Sequence, residues 1–279
     1  MSWTDHPITR VMTPAALQTT LAQLGIQPDD SLIVHTALSH FGFLPGGEAS
    51  VVRVLKALVP QGNIVMAAQT ADWSDPTTWE FPPADAAAAA QIRASMPPFD
   101  RDTTPVHFIG KTPEYFRTLP GTRRSNHPLC SMCAWGRDSA RIVATPTFDL
   151  PFGKQGPLQK LYDLDAKIVQ LGTDYESCTA LHLADSTIDR PTHAEWAPIL
   201  KDGRTEWVSY QDVELDPYDD FNELGARYQA AHPTAVRSVP IAGGTVAVQA
   251  MRPLIDFARD YYRRKDREVA AQRAAATQN

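Results

Sequence analysis

Within Thr179-Ala180-Leu181-His182-Leu183-Ala184-Asp185, three polar residues recur every third position, which puts Thr179, His182 and Asp185 on one face of a helix. A carboxylate one turn from an imidazole fixes its tautomer and raises its basicity. That makes His182 a candidate general base oriented by Asp185, while the Thr179 hydroxyl could stabilise a developing oxyanion. The same spacing also describes a plain helix surface with a weak ion pair.

Three other segments could serve such chemistry. His35-Thr36-Ala37-Leu38-Ser39 follows a short apolar run. At the end of a parallel strand, its N–H groups and hydroxyls suit an anionic or amide-rich ligand, or simply satisfy a turn. Arg123-Arg124-Ser125-Asn126-His127-Pro128 is a cationic, donor-rich loop that fits a phosphate-bearing ligand or plain surface charge, with Pro128 holding His127 out of helical geometry. In the acidic run Asp212, Glu214, Asp216, Asp219 and Asp220, an extended backbone would point alternate carboxylates from Asp212 to Asp216 into one pocket for a polycation. A solvated loop is the alternative.

The eight histidines show no H-E-x-x-H or comparable ligand spacing, so no metal is expected and a metal hydrolase is set aside. Cys130 and Cys133 form a C-x-x-C without two further zinc ligands, and with Cys178 they are expected to be reduced thiols. Cys178 lies four residues before His182, which leaves an acyl-enzyme route open.

The scaffold needed to position these residues is readable from the same chain. Its 279 residues, 43% of them hydrophobic, can bury a substantial core. A net charge of −6 gives no basic footprint for nucleic acid and suits a cationic small molecule. No run of about twenty apolar residues is present. The segment Met1 to Thr13 carries Asp5, His6 and Arg10 where a signal peptide needs an apolar stretch, so a cytoplasmic protein without membrane association is expected.

Thr13 and Pro14 open a helix through Leu17, Leu21 and Leu24 that stops at Gly25, and Ser31 to His35 reads as a strand. Gly46-Gly47 opens a second helix through Val51, Leu55 and Leu58, followed by a strand from Asn63 to Ala68. This βαβ rhythm makes the first two strands parallel, with the loops after them facing one crevice. Residues 69–101 form a Trp- and Pro-rich excursion over that crevice, around an Ala-rich helix from Ala84 to Ala94. Lys167 to Gly172 is a strand, Thr179 to Thr187 a helix, and Ala235 to Ile241 with Thr245 to Ala250 a hairpin around Gly243-Gly244. The last helix starts near Pro253. The expectation is an α/β fold with a central mixed, partly parallel sheet flanked by helices. One domain spans 1–264, a charged mobile tail 265–279, and the protein is a monomer or homodimer.

Taken together these segments resemble the aminoglycoside 3-N-acetyltransferase (antibiotic N-acetyltransferase) family. The family's strand, His-Ser/Thr-x-Leu-Ser and Gly-Gly-x are matched by Val34 to Ser39 and Gly46-Gly47, and its Gly-x-Leu-Val-Met-Pro strand by Gly62 to Ala67. Its Arg-Ser-x-His-Pro is intact at Arg124, Ser125, His127 and Pro128, with Gly110 and Phe116-Arg117 before it and Ala134-x-Gly136 after it. Gly156-Pro157-Leu158 stands for its Ser-Pro-Leu, Gln170-Leu171-Gly172 for its Leu-Leu-Gly, and Thr179 to Asp185 for its Thr-x-Leu-His-Leu-Ala-Glu. The resemblance runs from about residue 15 to about residue 260.

It implies an acetyl-CoA-dependent N-acetyltransferase, distinct in fold from the GCN5 type, that acetylates the 3-amino group of aminoglycosides and so confers resistance. His182, Asp185 and Thr179 would be catalytic. Acetyl-CoA would meet His35 to Ser39, Arg124, Ser125, His127 and Gly156 to Leu158, and the cationic acceptor would meet Asp72, Asp212 and Glu214. Three positions depart from the family: Asp185 for Glu, one methylene shorter; Gly156 for Ser; and Ala67 for Pro. An N-acetyltransferase for another amine, or a catalytically weak protein that only sequesters a cation or CoA, are the alternatives.

Overall fold

Thr13 caps the first helix as its sequence requires, its Oγ accepting the Ala16 N–H at 3.1 Å. In this computed structural model, which describes residues 7–276, the strands are β1 Ser31–Thr36, β2 Asn63–Ala67, β3 Arg123–Arg124, β4 Met132–Gly136, β5 Lys167–Leu171, β6 Thr192–Lys201, β7 Arg204–Val213, β8 Val236–Pro240 and β9 Thr245–Ala250. The helices are α1 Pro14–Gln23, α2 Gly47–Leu58, α3 Ala86–Ser95, α4 Lys111–Arg117, α5 Ser139–Val143, α6 Pro157–Asp163, α7 His182–Asp185, α8 Phe221–Ala231 and α9 Met251–Ala276. The expectation drawn from Asp5 and His6 falls outside the described residues.

Seven strands form one sheet in the order β3-β4-β2-β1-β5-β9-β8. β1 pairs parallel with both β2 and β5, and the outer pairings are antiparallel, giving the expected mixed sheet. The pleat divides the core. Leu32 and Val34 of β1 join α1 and α2 residues Leu17, Leu21, Val51 and Leu55 on one face. Ile33 joins Leu158 and Leu161 of α6 and Ile255, Ala258 and Tyr262 of α9 on the other. By the same alternation His35 lies on the α6–α9 face. β6 and β7 form a separate two-stranded sheet.

Two expectations are corrected. The segment from Thr179 is a 3₁₀ turn, Thr179–Leu181, followed by the single α-turn α7. The last helix runs unbroken from Met251 to Ala276, in place of the tail expected to fray from Lys265. Ion pairs Arg259–Asp256 and Arg263–Asp260 lie along it, and Lys265 and Asp266 bind groups on other elements. Residues 277–279 of that expected tail lie outside the described residues.

Candidate active site

Parallel strands end together, and the ends of β1 and β2 with the chain following β5 enclose a cleft of about 460 Å³. His35, Thr36 and Ala37 line one side, Ala67 and Gln69 the floor, and Glu176, Thr179 and His182 the other side. The His182 ring is stacked on Phe152 at 5.3 Å and tilted against Phe221 at 5.1 Å. Its Nδ1 lies 3.3 Å from Asp185 Oδ2, a long contact of the kind that catalytic groups show before substrate closes the site. With Nδ1 turned to the carboxylate, Nε2 is the nitrogen left for a substrate proton.

Asp185 is fully buried. Its Oδ1 accepts from Arg190 at 2.6 Å, and its Oδ2 also accepts the Asp216 backbone N–H at 3.2 Å. Arg190 in turn donates twice to Asp266 on α9, at 3.0 and 2.9 Å. Neither Arg190 nor Asp266 is marked in the sequence. A cation five residues beyond a carboxylate is a weak signal, and its second partner is 76 residues away. Phe152 and Phe221 read in sequence as ordinary core residues.

His35 is held down at about 4, by burial first and then by the neighbouring His182, so its imidazole is neutral near pH 7. Its Nε2 has no hydrogen-bond partner among the described residues, nor does Nε2 of Gln170, its register partner on β5. Leu38 and Ser39 turn away from the strand in a 3₁₀ turn, where Leu38 packs into the core and Ser39 is exposed.

The side chains of the Arg-Ser-x-His-Pro segment, expected to meet the cofactor, are engaged with protein groups in this structure. Arg124 donates to Ser131 Oγ at 2.8 Å, the Thr104 carbonyl at 2.5 Å and the Ala68 carbonyl at 2.7 Å. Ser125 Oγ accepts the Met132 N–H at 2.9 Å. His127 Nδ1 accepts N–H groups from Leu129 and Cys130, so Nε2 carries the proton and donates to the Phe148 carbonyl at 3.1 Å. These side chains knit the loops at the sheet's end to one another. Leu158 is likewise buried in the core and Pro157 begins α6. Gly156 has no room for a side chain, since a Cβ there would lie 2.0 Å from the Pro151 carbonyl oxygen.

The acidic run does not continue as a strand. β7 ends at Val213, Asp216 takes a left-handed φ of 47°, and Glu214 is exposed while Asp212 is buried. The three carboxylates therefore do not share one face. Asp212 is pushed up to about 6 by burial, with Glu195 adding repulsion. Asp216 is also raised to about 6, by burial first and with Asp185 adding repulsion. Asp216 and Asp219 meet Glu176, with oxygens within 4.8 Å of one another, beside the cleft. Asp72 pairs with His107 Nδ1 at 2.7 Å.

Cys178 is buried and its thiol is pushed up to about 12, so it carries no thiolate and the acyl-enzyme route is dropped. Burial likewise raises Cys133 to about 12, and Cys130 is buried beside it in sequence. Among the described residues no helix is long and apolar enough to cross a membrane.

Comparison with known proteins agrees with this architecture. The sequence profile of the family described as Aminoglycoside 3-N-acetyltransferase matches residues 33–263. The SPbeta prophage-derived aminoglycoside N(3')-acetyltransferase-like protein YokD of Bacillus subtilis is 32% identical over 91% of this chain and 93% of its own. Aminoglycoside N(3)-acetyltransferase VII of Streptomyces paromomycinus is 29% identical over 91% of each. The YokD crystal structure superposes with a TM-score of 0.85 over 91% of this chain and 94% of that one, at 30% identity. AAC-VIa bound to sisomicin superposes with a TM-score of 0.79 over 91% and 98%, at 28% identity. With its parallel-strand cleft, its imidazole–carboxylate pair and a family match across most of its length, this chain belongs to the aminoglycoside 3-N-acetyltransferase family and is an N-acetyltransferase.

Proposed function

We propose that the chain transfers acetyl from acetyl-CoA to the 3-amino group of an aminoglycoside, acting in the cytoplasm. The observation that carries this reading is His182, paired through Nδ1 with Asp185 and lining the cleft at the strand ends. A protonated amine is no nucleophile. His182 Nε2 takes the first ammonium proton and releases it to bulk solvent, the free amine attacks the thioester carbonyl, and His182 takes the second nitrogen proton as the C–N bond forms and the C–S bond breaks. The CoA thiolate leaves, and its sulfur recovers a proton from His182. Thr179, beside His182 in the cleft, is placed to donate to the oxyanion.

Thr36 and Ala37, which line the cleft, would hold the pantetheine arm. Glu176, which lines the cleft, and Asp216 next to it would hold the acceptor's other ammonium groups, with Asp212 and Asp72 as further carboxylates. The relative AAC-VIa, solved with sisomicin, supports a cationic acceptor of this class.

The test is thiol release from acetyl-CoA by the purified protein, using aminoglycosides against other amines. Release with aminoglycosides is expected. Release with other amines alone would keep the chemistry and discard the acceptor, and silence throughout would leave a binding protein.

A further inference from the structure

Arg190 connects the catalytic pair to the C-terminal helix. One end of its guanidinium donates to Asp185 Oδ1 at 2.6 Å, and its other edge makes two bonds to Asp266 of α9. Tyr218 Oη donates to the same Asp266 at 2.6 Å. The rings of Tyr262 and Tyr218 lie 4.9 and 5.7 Å from its Cζ, and its side chain is 7% exposed. This is a dry, fully engaged arginine whose far end meets the carboxylate that faces His182.

The arrangement bears on proton affinity. A fully buried carboxylate whose sole cationic partner is an imidazole pulls that imidazole toward its protonated form, in which it is no base. A permanent guanidinium charge on the second oxygen offsets that demand, because it shares the carboxylate's negative charge whatever the state of the imidazole. The fork on Asp266 fixes where the charge sits. The other titratable groups around His182 are His35 on β1, Asp212 on β7, Asp216 in the loop after β7, and Glu176 on the same side of the cleft.

We infer that Arg190, anchored on Asp266, is a positioning residue that keeps Asp185 ionised and aimed at His182, leaving His182 neutral and available as the base at working pH. This rests on the reading of His182 as the general base.

The test compares wild type with Arg190→Met, Arg190→Gln and Arg190→Lys. It uses ring-¹⁵N NMR titration of His182, the pH profile of kcat/KM for thiol release, and thermal melting. In Arg190→Met the proton shared by His182 and Asp185 leaves about one pH unit higher than in wild type. The acidic limb of kcat/KM moves up by the same amount, with KM for acetyl-CoA unchanged. Arg190→Lys keeps the charge and returns the midpoint close to the wild-type value. Arg190→Gln keeps a hydrogen-bond donor without the charge, and it carries the same upward shift if the Met variant fails to fold. A charge-free variant that melts early but titrates His182 as wild type does would overturn the inference and leave Arg190 as a tie between segments. If wild type releases no thiol with any amine, the acetyl-transfer reading fails while the NMR titration still decides what Arg190 does.

Discussion

The His182 imidazole lies nearly parallel to the Phe152 ring, 5.3 Å between centroids and 19° between planes. Phe152 is fully buried, so it acts as a fixed wall that limits the histidine to one plane. Replacing it with Leu keeps an apolar residue of similar bulk but removes the flat surface. Phe152→Leu should lower kcat by about tenfold, roughly 1.4 kcal/mol in barrier, with KM unchanged. Phe152→Ala should also cost about 3–5 kcal/mol of stability. Steady-state thiol release together with denaturant melts separates the two effects.

His182→Ala should reduce turnover by about two to four orders of magnitude. Circular dichroism of the variant should match wild type, because the ring stacks at the edge of the cleft with 18% of its side chain exposed. Turnover near the wild-type rate would remove His182 from the base role.

Asp212, proposed to hold the acceptor, also bears on stability. Burial raises its folded value to about 6 from an ordinary 3.8, so the folded state resists ionising it. Its contribution is fully present below about pH 4, where both states are protonated, and it is lost as pH rises through about 6. Asp212→Asn removes the ionisation penalty, worth at most about 3 kcal/mol at neutral pH. The variant should melt higher than wild type at pH 7.5 and alike at pH 4, while KM for a cationic acceptor rises. Equal melting at both pH values would show that Asp212 ionises in the fold without cost.

Gly156→Ser restores the residue that the family motif carries, yet it should destabilise this chain. A Cβ would meet the Pro151 carbonyl oxygen at 2.0 Å and its carbon at 3.0 Å, and backbone cannot give way as a side chain can. A loss of about 1–3 kcal/mol in urea unfolding is expected. The glycine at this position therefore answers a demand of local packing.

Much of the fold and of the site is legible in the residue types and their spacing. Thr13 and Pro14 start α1 as their types dictate, and Gly243-Gly244 joins β8 to β9. The Thr179–His182–Asp185 spacing brings His182 and Asp185 into contact although the helix is one turn long, since 3₁₀ and α turns both place neighbours three apart together. Direction is what residue types do not carry. Arg124 and His127 look like ligand donors because residue types show donors without their acceptors, and here the acceptors include backbone carbonyls of segments remote in sequence. Asp216 reads as one more carboxylate, whereas its left-handed turn also aims its N–H at Asp185 Oδ2. Asp202-Gly203 between two strand-like runs is a hairpin signal in its own right, and in the structure it joins β6 to β7, which are absent from the expected elements.

That hairpin has a consequence for how such an enzyme diversifies. β6 and β7 share no ladder with the central sheet, and their two-residue turn, with φ of 50° at Asp202 and 75° at Gly203, is a self-contained corner. Asp212 sits near the end of β7, whereas His182 and Asp185 sit on α7, before β6 begins. Residues could be exchanged, added or removed at the outer end of this arm without moving the proton-transfer pair. The chain thus separates a part free to drift toward new acceptors from a part where drift ends the chemistry.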